Sequence, residues 1–251
     1  YNADFYHDMR LALTQTGQWR DEIWLRRKDG HVYPALLTIS AVADGLGELT
    51  HFVGVFSDIS QLKQSEERLE YLAHHDPLTG LPNRSLFQQR LEQCLHRAKR
   101  YHRQFGLLFL DLDRFKVFND TLGHAMGDAL LLAVAGVLAK QVREVDTIAR
   151  LGGDEFVIIL EDIPASRFAA TFADRLMDIF NRPFQVMGRE LFVTASVGIS
   201  IYPDDGTDME TLVRHADVAM YETKSTGRNG FRFFETAMSK GAMERLRLAH
   251  D

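Results

Sequence analysis

The stretch IARLGGDEFVIIL, residues 148–160, places two short apolar runs on either side of a Gly-Gly pair. Glycine tolerates the positive φ angles of tight turns, so Gly152 and Gly153 predict a β-hairpin that joins the two runs. Two acidic side chains, Asp154 and Glu155, follow the turn directly. The sequence therefore predicts a pair of carboxylates beside the turn of a buried hairpin, where a ligand can approach the backbone closely.

Apolar runs with strand and helix periodicity alternate on both sides of this hairpin. The predicted elements are a strand at 105–112, a helix at 127–142, strands at 148–151 and 156–160, a helix at 165–181, a strand at 191–202, a helix at 209–225 and a strand at 231–234. The order β-α-β-β-α-β, followed by a further helix and strand, indicates an α+β fold. It is typical of a ferredoxin-like or palm-like antiparallel sheet with helices packed on it.

The first sixty residues carry three short alternating runs, at 23–28, 31–40 and 51–57, separated by Asp-Gly turn signals. Strand, turn, strand, turn, strand predicts an antiparallel meander. A three-stranded sheet alone has a marginal core, so we expect these strands to form part of a larger domain.

A polar helix is predicted from residue 58 to 75, in which Ile59, Leu62, Leu69 and Ala73 recur at spacings near three, four and seven. One interpretation is a solvated linker helix. The other is a helix that pairs two protomers and passes signals downstream, because apolar residues at this spacing form coiled-coil seams.

The composition is globular and excludes several classes of function. The 251 residues include 29 Lys and Arg against 35 Asp and Glu, and the net charge of −6 disfavours general nucleic-acid binding. Cys94 is the only cysteine, which excludes an intrachain disulfide and a Cys-rich zinc site. The longest apolar run, residues 129–139, is too short to span a membrane. We expect a cytoplasmic chain without a signal peptide, which leaves room for a membrane anchor upstream in a longer parent protein.

Two further groups of charged residues could join the carboxylates of the hairpin. Asp111 and Asp113 end a predicted strand, and alternation places them on one face, where they could hold Mg²⁺ or be solvated acids. If that strand neighbours the hairpin, Asp154 reaches Asp111 and completes a metal site. Lys224 and Arg228 end the last long helix, where cations interact favourably with the helix dipole even when no ligand is present. Near a metal site they would neutralise a polyphosphate.

Together these features resemble the GGDEF family of diguanylate cyclases, and the resemblance covers residues 71–235. Several separate motifs occur in the family's order, which makes the match specific. They are DPLTGLPNR at 76–84, DLDRFK at 111–116, Asn119-Asp120, LGH at 122–124, Gly127-Asp128 and GGDEF at 152–156.

The resemblance implies an enzyme that depends on Mg²⁺ or Mn²⁺. Asp111 and Asp154 resemble the family's metal ligands, helped by the backbone carbonyl of Leu112 and by Glu155. The resemblance also implies that Asp154, Glu155 and Lys116 act in catalysis, with Lys116 stabilising charge on the reacting phosphate.

The substrate contacts are implied in the same way. Asn119 and Asp128 resemble residues that read guanine, because an amide can bond O6 or N7 and a carboxylate can accept from N1 and N2. His124 resembles a substrate-contacting position, and Lys224 and Arg228 resemble those that hold the outer phosphates. Asp128 also suits the first turn of a helix, and His124 an exposed loop, so both have simpler explanations.

The implied reaction condenses two GTP molecules into cyclic di-GMP with release of pyrophosphate. The 3′-OH of one GTP attacks the α-phosphorus of the other, and one domain binds one GTP. Because the product is two-fold symmetric, a homodimer is the expected catalyst. Arg143 and Asp146 match the family's product-inhibition motif R-x-x-D, which would bind cyclic di-GMP through the guanine base; an i,i+3 surface ion pair is the alternative.

Residues 1–60 resemble the later part of a PAS sensory domain through Trp24, KDG at 28–30 and GVFSDIS at 54–60. The expected organisation continues with a linker helix at 61–75 and the GGDEF domain at 76–237. Residues 238–251 resemble the lead-in to an EAL phosphodiesterase domain.

Two alternatives to an active cyclase stay open. The chain could be a GTP-binding, non-catalytic regulatory module that controls a downstream EAL phosphodiesterase. It could also be a sensory dimerisation module that relays PAS signals and produces cyclic di-GMP only when activated. GTP binding without turnover would favour the first, and turnover only in forced dimers would favour the second.

Overall fold

The computed structural model describes residues 3–46 and 49–238. The chain divides into two compact units, Tyr1–Tyr71 and Leu72–Asp251. Residues 239–251, which belong to the expected lead-in to an EAL domain, lie outside the described residues.

The first unit is a three-stranded meander with one helix. Helix α1 (Ala3–Thr16) precedes strands β1 (Gln18–Arg26), β2 (Val32–Ala43) and β3 (Leu49–Asp58), which pair antiparallel in the order β1-β2-β3. This confirms the predicted meander. Sequence patterning does not predict α1, because Leu13 is its one buried residue and the apolar periodicity is weak. The small core contains Ile23, Tyr33 and Ala35, with Phe5, Trp19, Leu25 and Leu37 packed against it.

Helix α2 (Ser60–His74) follows, close to the predicted bounds of 58–75. The side chains of Leu62 and Leu69 are exposed, whereas Ile59 just before the helix is buried. An exposed pair of leucines one heptad apart fits both interpretations of this helix, so its role in pairing protomers stays a prediction.

The second unit is built on a five-stranded sheet in the order β10-β9-β4-β6-β5. Strand β4 is antiparallel to both neighbours, β6 is antiparallel to β5, and β10 is parallel to β9. The strands are β4 (Gln104–Leu112), β5 (Thr147–Gly152), β6 (Glu155–Ile163), β9 (Ala195–Tyr202) and β10 (Gly230–Phe233). The predicted α+β class, with its ferredoxin-like or palm-like antiparallel sheet, is confirmed.

Helices cover both faces of this sheet. They are α3 (Arg84–Tyr101) and α7 (Met209–Ser225) on one face, and α5 (His124–Ala139) and α6 (Ser166–Phe180) on the other. Successive side chains of β4 point to opposite faces, so Leu107 and Phe109 pack under α3 and α7 while Leu108 and Leu110 pack under α5 and α6. None of the helices in the described ranges is both long and apolar enough to cross a membrane.

The structure adds two helices that the sequence analysis did not predict and moves the start of a third. Sequence patterning does not identify α3 or the short α4 (Phe115–Leu122), because charged residues interrupt the first and the second has only eight residues. Helix α5 begins at His124 rather than near Gly127, since Gly123, with φ of 87°, ends α4 and directly precedes α5. His124 is therefore the first helical residue and not a loop residue, and Asp128 lies in the second turn.

The predicted strand at 191–202 is two elements. A hairpin of β7 (Phe184–Val186) and β8 (Arg189–Leu191) precedes β9, which starts at Ala195. Met187 and Gly188 both have positive φ, the geometry of a two-residue turn between antiparallel strands. Of the expected strand, Leu191 ends β8, residues 192–194 lie outside the strands, and residues 195–202 form β9.

Candidate functional site

The ends of β4 and β6 bring the predicted carboxylates together. In the antiparallel register Asp111 lies directly opposite Glu155, so their side chains share the face covered by α3 and α7. The backbone N–H of Leu112 donates to the carbonyl of Asp154 at 3.3 Å. Gly152 and Gly153 adopt positive φ angles of 141° and 52° at the turn, which the predicted Gly-Gly hairpin requires.

Asp111 is buried, and its carboxylate receives a salt bridge from the Lys224 ammonium on α7 at 2.7 Å. Burial raises the pKa of Asp111 to about 6; Lys224 lowers it, while the nearby charges of Asp154 and Glu155 raise it. The charges of Asp154 and Glu155 therefore act on the Asp111 carboxylate. The cation of Lys224 offsets part of their charge.

Glu155 has two neighbours that the sequence did not indicate. Its pKa is raised by burial and by the charges of Asp217 and Asp154, and lowered by Arg84, whose guanidinium lies 3.9 Å from its carboxylate. Asp217 lies on α7, seven residues before Lys224, and burial raises its pKa as well. Within residues 3–46 and 49–238, however, no three His, Cys, Asp or Glu side chains converge as a ready metal cluster.

Asp113 has a different environment from the one that strand alternation predicts. Its carboxylate is almost fully buried and accepts hydrogen bonds from the hydroxyls of Thr194 and Ser196 at 2.7 and 2.8 Å. The backbone N–H of Asn229 also donates to it at 3.1 Å. Hydrogen-bond donors of the protein therefore bind the carboxylate of Asp113, which the sequence analysis considered as a second metal ligand.

Asn119 on α4 presents a buried polar atom. Its Oδ1 has no hydrogen-bond partner among the described residues. A Cβ added to Gly127 of α5 would lie 1.8 Å from this oxygen, so the glycine makes room for the amide. Asp128, His124 and Lys116 are exposed on the same two helices. Because a buried acceptor without a partner is costly, Asn119 suits a ligand that donates a hydrogen bond.

Lys224 lies in the last turn of α7, and Arg228 lies in the tight turn that follows this helix. The chain passes through Gly227, Arg228 and Asn229 with φ angles of 135°, 64° and 47°. The Arg228 side chain is half exposed, with its Nε 3.9 Å from Asp113. Thus both predicted phosphate-binding cations lie near the end of β4, Lys224 beside Asp111 and Arg228 beside Asp113.

Arg143 and Asp146 form a separate cluster. The Asp146 carboxylate is buried and accepts from the Arg143 side chain at 2.8 and 2.9 Å and from two backbone N–H groups. A cavity of about 890 Å³ opens beside them, with Arg90, Arg97 and Arg103 in its lining. Its lining includes Gln104 at the start of β4, so it lies at the opposite end of that strand from Asp111.

One ion pair near the hairpin has no counterpart in the sequence analysis. The Arg150 guanidinium donates to both carboxylate oxygens of Asp76 at 2.9 and 3.1 Å and to the carbonyl of Gly153 at 2.7 and 3.0 Å. Both side chains are nearly buried, with 10% and 13% exposure. A charged residue inside the otherwise apolar run at 148–151 was the available signal.

Comparison with known proteins identifies the families to which the two parts of the chain belong. Residues 73–230 match the family model described as diguanylate cyclase, GGDEF domain, and residues 1–61 match a PAS domain. The bifunctional diguanylate cyclase/cyclic di-GMP phosphodiesterase MucR of Pseudomonas aeruginosa is 48% identical over 76% of this chain and 28% of its own length. The diguanylate cyclase TpbB of the same species is 38% identical over 70% of this chain and 41% of its own length. This chain spans less than half the length of either relative.

Solved structures give the same result. The GGDEF domain of TpbB superimposes with a TM-score of 0.66 at 37% identity, covering 68% of this chain and 99% of that one. The coiled coil and GGDEF domain of DgcB from Caulobacter crescentus, in complex with c-di-GMP, gives a TM-score of 0.60 at 29% identity, covering 70% and 92%. Residues 1–61 thus match a PAS domain, and the chain belongs to the GGDEF family of diguanylate cyclase domains.

Proposed function

We propose that this chain is an active diguanylate cyclase that condenses two GTP molecules into cyclic di-GMP and releases pyrophosphate. The observation that carries the proposal is the Lys224 ammonium, 2.7 Å from Asp111. Asp154 and Glu155 lie close enough to raise the pKa of that aspartate. A cation beside crowded carboxylates suits a substrate that brings both phosphate charge and a divalent metal ion.

Asp111, Asp154 and the carbonyl of Leu112, with Glu155, would hold Mg²⁺ or Mn²⁺. All of these donors are oxygens, which hard divalent cations prefer, and the repulsion among the carboxylates would be relieved by a cation. When bound, the ion polarises the α-phosphate and offsets charge on the leaving pyrophosphate.

The remaining charged residues act on the phosphates and on the proton. Lys224 and Arg228 hold the outer phosphates, and Lys116 stabilises negative charge on the reacting phosphate. Asp154 accepts the proton of the attacking 3′-OH as the new phosphodiester bond forms and the bond to pyrophosphate breaks. Two such transfers close the ring, so two GTP give one cyclic di-GMP and two pyrophosphates.

Asn119 and Asp128 read the guanine base. The buried Asn119 Oδ1 lacks a donor among the described residues, so a nucleobase N–H at that point would satisfy it. His124, at the start of α5, contacts the same substrate. Adenine would leave these polar groups unpaired, which is the basis of strong discrimination.

The catalyst is a homodimer, because one domain holds one GTP and the product has two-fold symmetry. The test is incubation with GTP and Mg²⁺ at several protein concentrations, followed by chromatographic separation of the nucleotides. Cyclic di-GMP should rise more steeply than protein concentration. Asp154→Asn should abolish turnover, whereas Asp162→Asn, an exposed acid at the far end of β6, should not. Retained turnover in Asp154→Asn would contradict the assigned role.

Arg143 and Asp146 form the product-inhibition site, and the adjoining cavity, whose lining includes four arginines together with Glu161 and Asp162, has room for a dinucleotide. Arg143→Ala should relieve inhibition by added cyclic di-GMP with little loss of initial rate. Two backbone N–H groups still satisfy Asp146 in that variant. Unchanged sensitivity to the product would refute this part of the proposal.

A GTP-binding regulatory module is the second candidate, because the relative MucR is named as both a cyclase and a phosphodiesterase. The same incubation separates the two. GTP binding without any product, at every protein concentration, would favour the regulatory module that acts on a downstream EAL domain.

A further inference from the structure

The buried carboxylate of Asp113 joins two segments that are far apart in the chain. Thr194, just before β9, and Ser196, within it, donate through their hydroxyls, and Asn229 donates through its backbone N–H. The backbone N–H of Asp113 donates in turn to the carbonyl of Thr194 at 2.9 Å. The side chain is 2% exposed, so its position is fixed by these contacts and not by solvent.

The turn that receives this carboxylate is conformationally unfavourable by itself. Arg228 and Asn229 are consecutive non-glycine residues with positive φ, each costing roughly 1 kcal/mol. Helix α7 contributes one closing bond, from the Arg228 N–H to the carbonyl of Thr223 at 3.0 Å. The bond from Asn229 to the buried Asp113 ties the turn to the end of β4, and the pairing of β10 with β9 begins at the next residue, Gly230.

We propose that Asp113 is a positioning residue that fixes the turn carrying Arg228, and that it is not a metal ligand. Three hydrogen bonds and the nearby guanidinium occupy its two oxygens, which leaves little capacity for a cation. The inference rests on the proposed function in one respect, the role of Arg228 in holding phosphates. Asp113 then acts on the substrate only through that arginine.

The test is a double-mutant cycle with Asp113→Asn and Arg228→Ala. Each single variant should raise the KM for GTP on the order of tenfold, the factor one charged contact typically carries, with kcat changed much less. The double variant should be no worse than Arg228→Ala, and the Mg²⁺ concentration for half-maximal rate should not change. Additive effects, or loss of kcat with a shifted Mg²⁺ requirement, would overturn the assignment.

Two further measurements test the role of Asp113 even if the chain does not turn over GTP or Asp113→Asn does not fold. Binding of the α,β-methylene analogue of GTP, followed by calorimetry, should show the same non-additive loss even if the wild-type chain makes no cyclic di-GMP. Absent product would then count against the proposed function alone. Thr194→Val removes a single donor to Asp113 and should weaken analogue binding in the same direction if Asp113→Asn does not fold; unchanged binding would overturn the inference.

Discussion

Replacing Arg150 by methionine tests the interaction that anchors the hairpin. Methionine keeps the apolar length of the side chain and removes all four hydrogen bonds to Asp76 and Gly153. Burial raises the pKa of Asp76, but hydrogen bonds from Thr79 and Arg150 outweigh it and hold the pKa below its ordinary value. Without the guanidinium, a nearly buried carboxylate keeps only its bonds from Thr79.

The expected loss follows from the burial of the pair. Both partners are at most 13% exposed, and removing one partner of a buried ion pair costs about 3–5 kcal/mol. For a unit of this size each kcal/mol lowers the melting temperature by roughly 2–4 °C, so a fall of roughly 10 °C is expected. Arg103→Met is the matched control, because Arg103 and Asp162 pair at 3.2 Å with 64% and 59% exposure. Exposed pairs contribute about 0–1 kcal/mol.

The measurement is thermal unfolding of both variants followed by circular dichroism under identical conditions. Equal melting temperatures for Arg150→Met and Arg103→Met would refute the argument that burial makes the first pair strong. Adding Asp76→Asn to Arg150→Met should lower the melting temperature little further, because the two residues share one interaction.

Three other outcomes follow from individual contacts. Gly198→Ala should prevent stable folding, because the new Cβ would lie 2.0 Å from the Ala216 carbonyl, whereas Gly136→Ala meets open space and should fold; soluble yield and melting temperature check both. Cys94 should resist a thiol reagent until the chain unfolds, because it is buried and its pKa is raised to about 12; fast labelling of the native protein would contradict this. Asp111→Asn should flatten the stability of the metal-free protein between about pH 4 and 6, measured by denaturant titration. In the wild type, Asp111 is protonated in the folded state but ionised in the unfolded state over this range, because its pKa is raised on folding. The free energy of unfolding therefore falls by up to about 3 kcal/mol as pH rises through that range.

Local chemistry explains how much of this structure the sequence could predict. The Gly152-Gly153 pair identified the hairpin because two consecutive positive φ angles leave few other residue choices. The apolar runs identified the sheet because both of its faces are buried. The predicted helix at 209–225 coincides with α7, whose N-terminus is capped by the Asp208 side chain.

The remainder depends on contacts between residues that are far apart in the chain. The register that sets Asp111 opposite Glu155 has no local pattern, and the charge of Arg150 within an apolar run does not identify Asp76 as its partner. Strand alternation could not show that Asp113 lies beyond the end of β4 and turns toward Thr194 and Ser196. Their spacing along one strand therefore predicts that Asp111 and Asp113 are equivalent, whereas tertiary packing gives them different environments.

The concentration of charge at this end of the sheet argues for function more strongly than any single contact. Asp111, Glu155 and Asp217 all have pKa values raised by burial, so the fold is less stable at neutral pH for containing them. Ion pairs that serve stability do not need carboxylates that repel one another. A carboxylate cluster that costs stability in the absence of a ligand, and that one ammonium neutralises only in part, is best explained by a ligand that brings the missing positive charge.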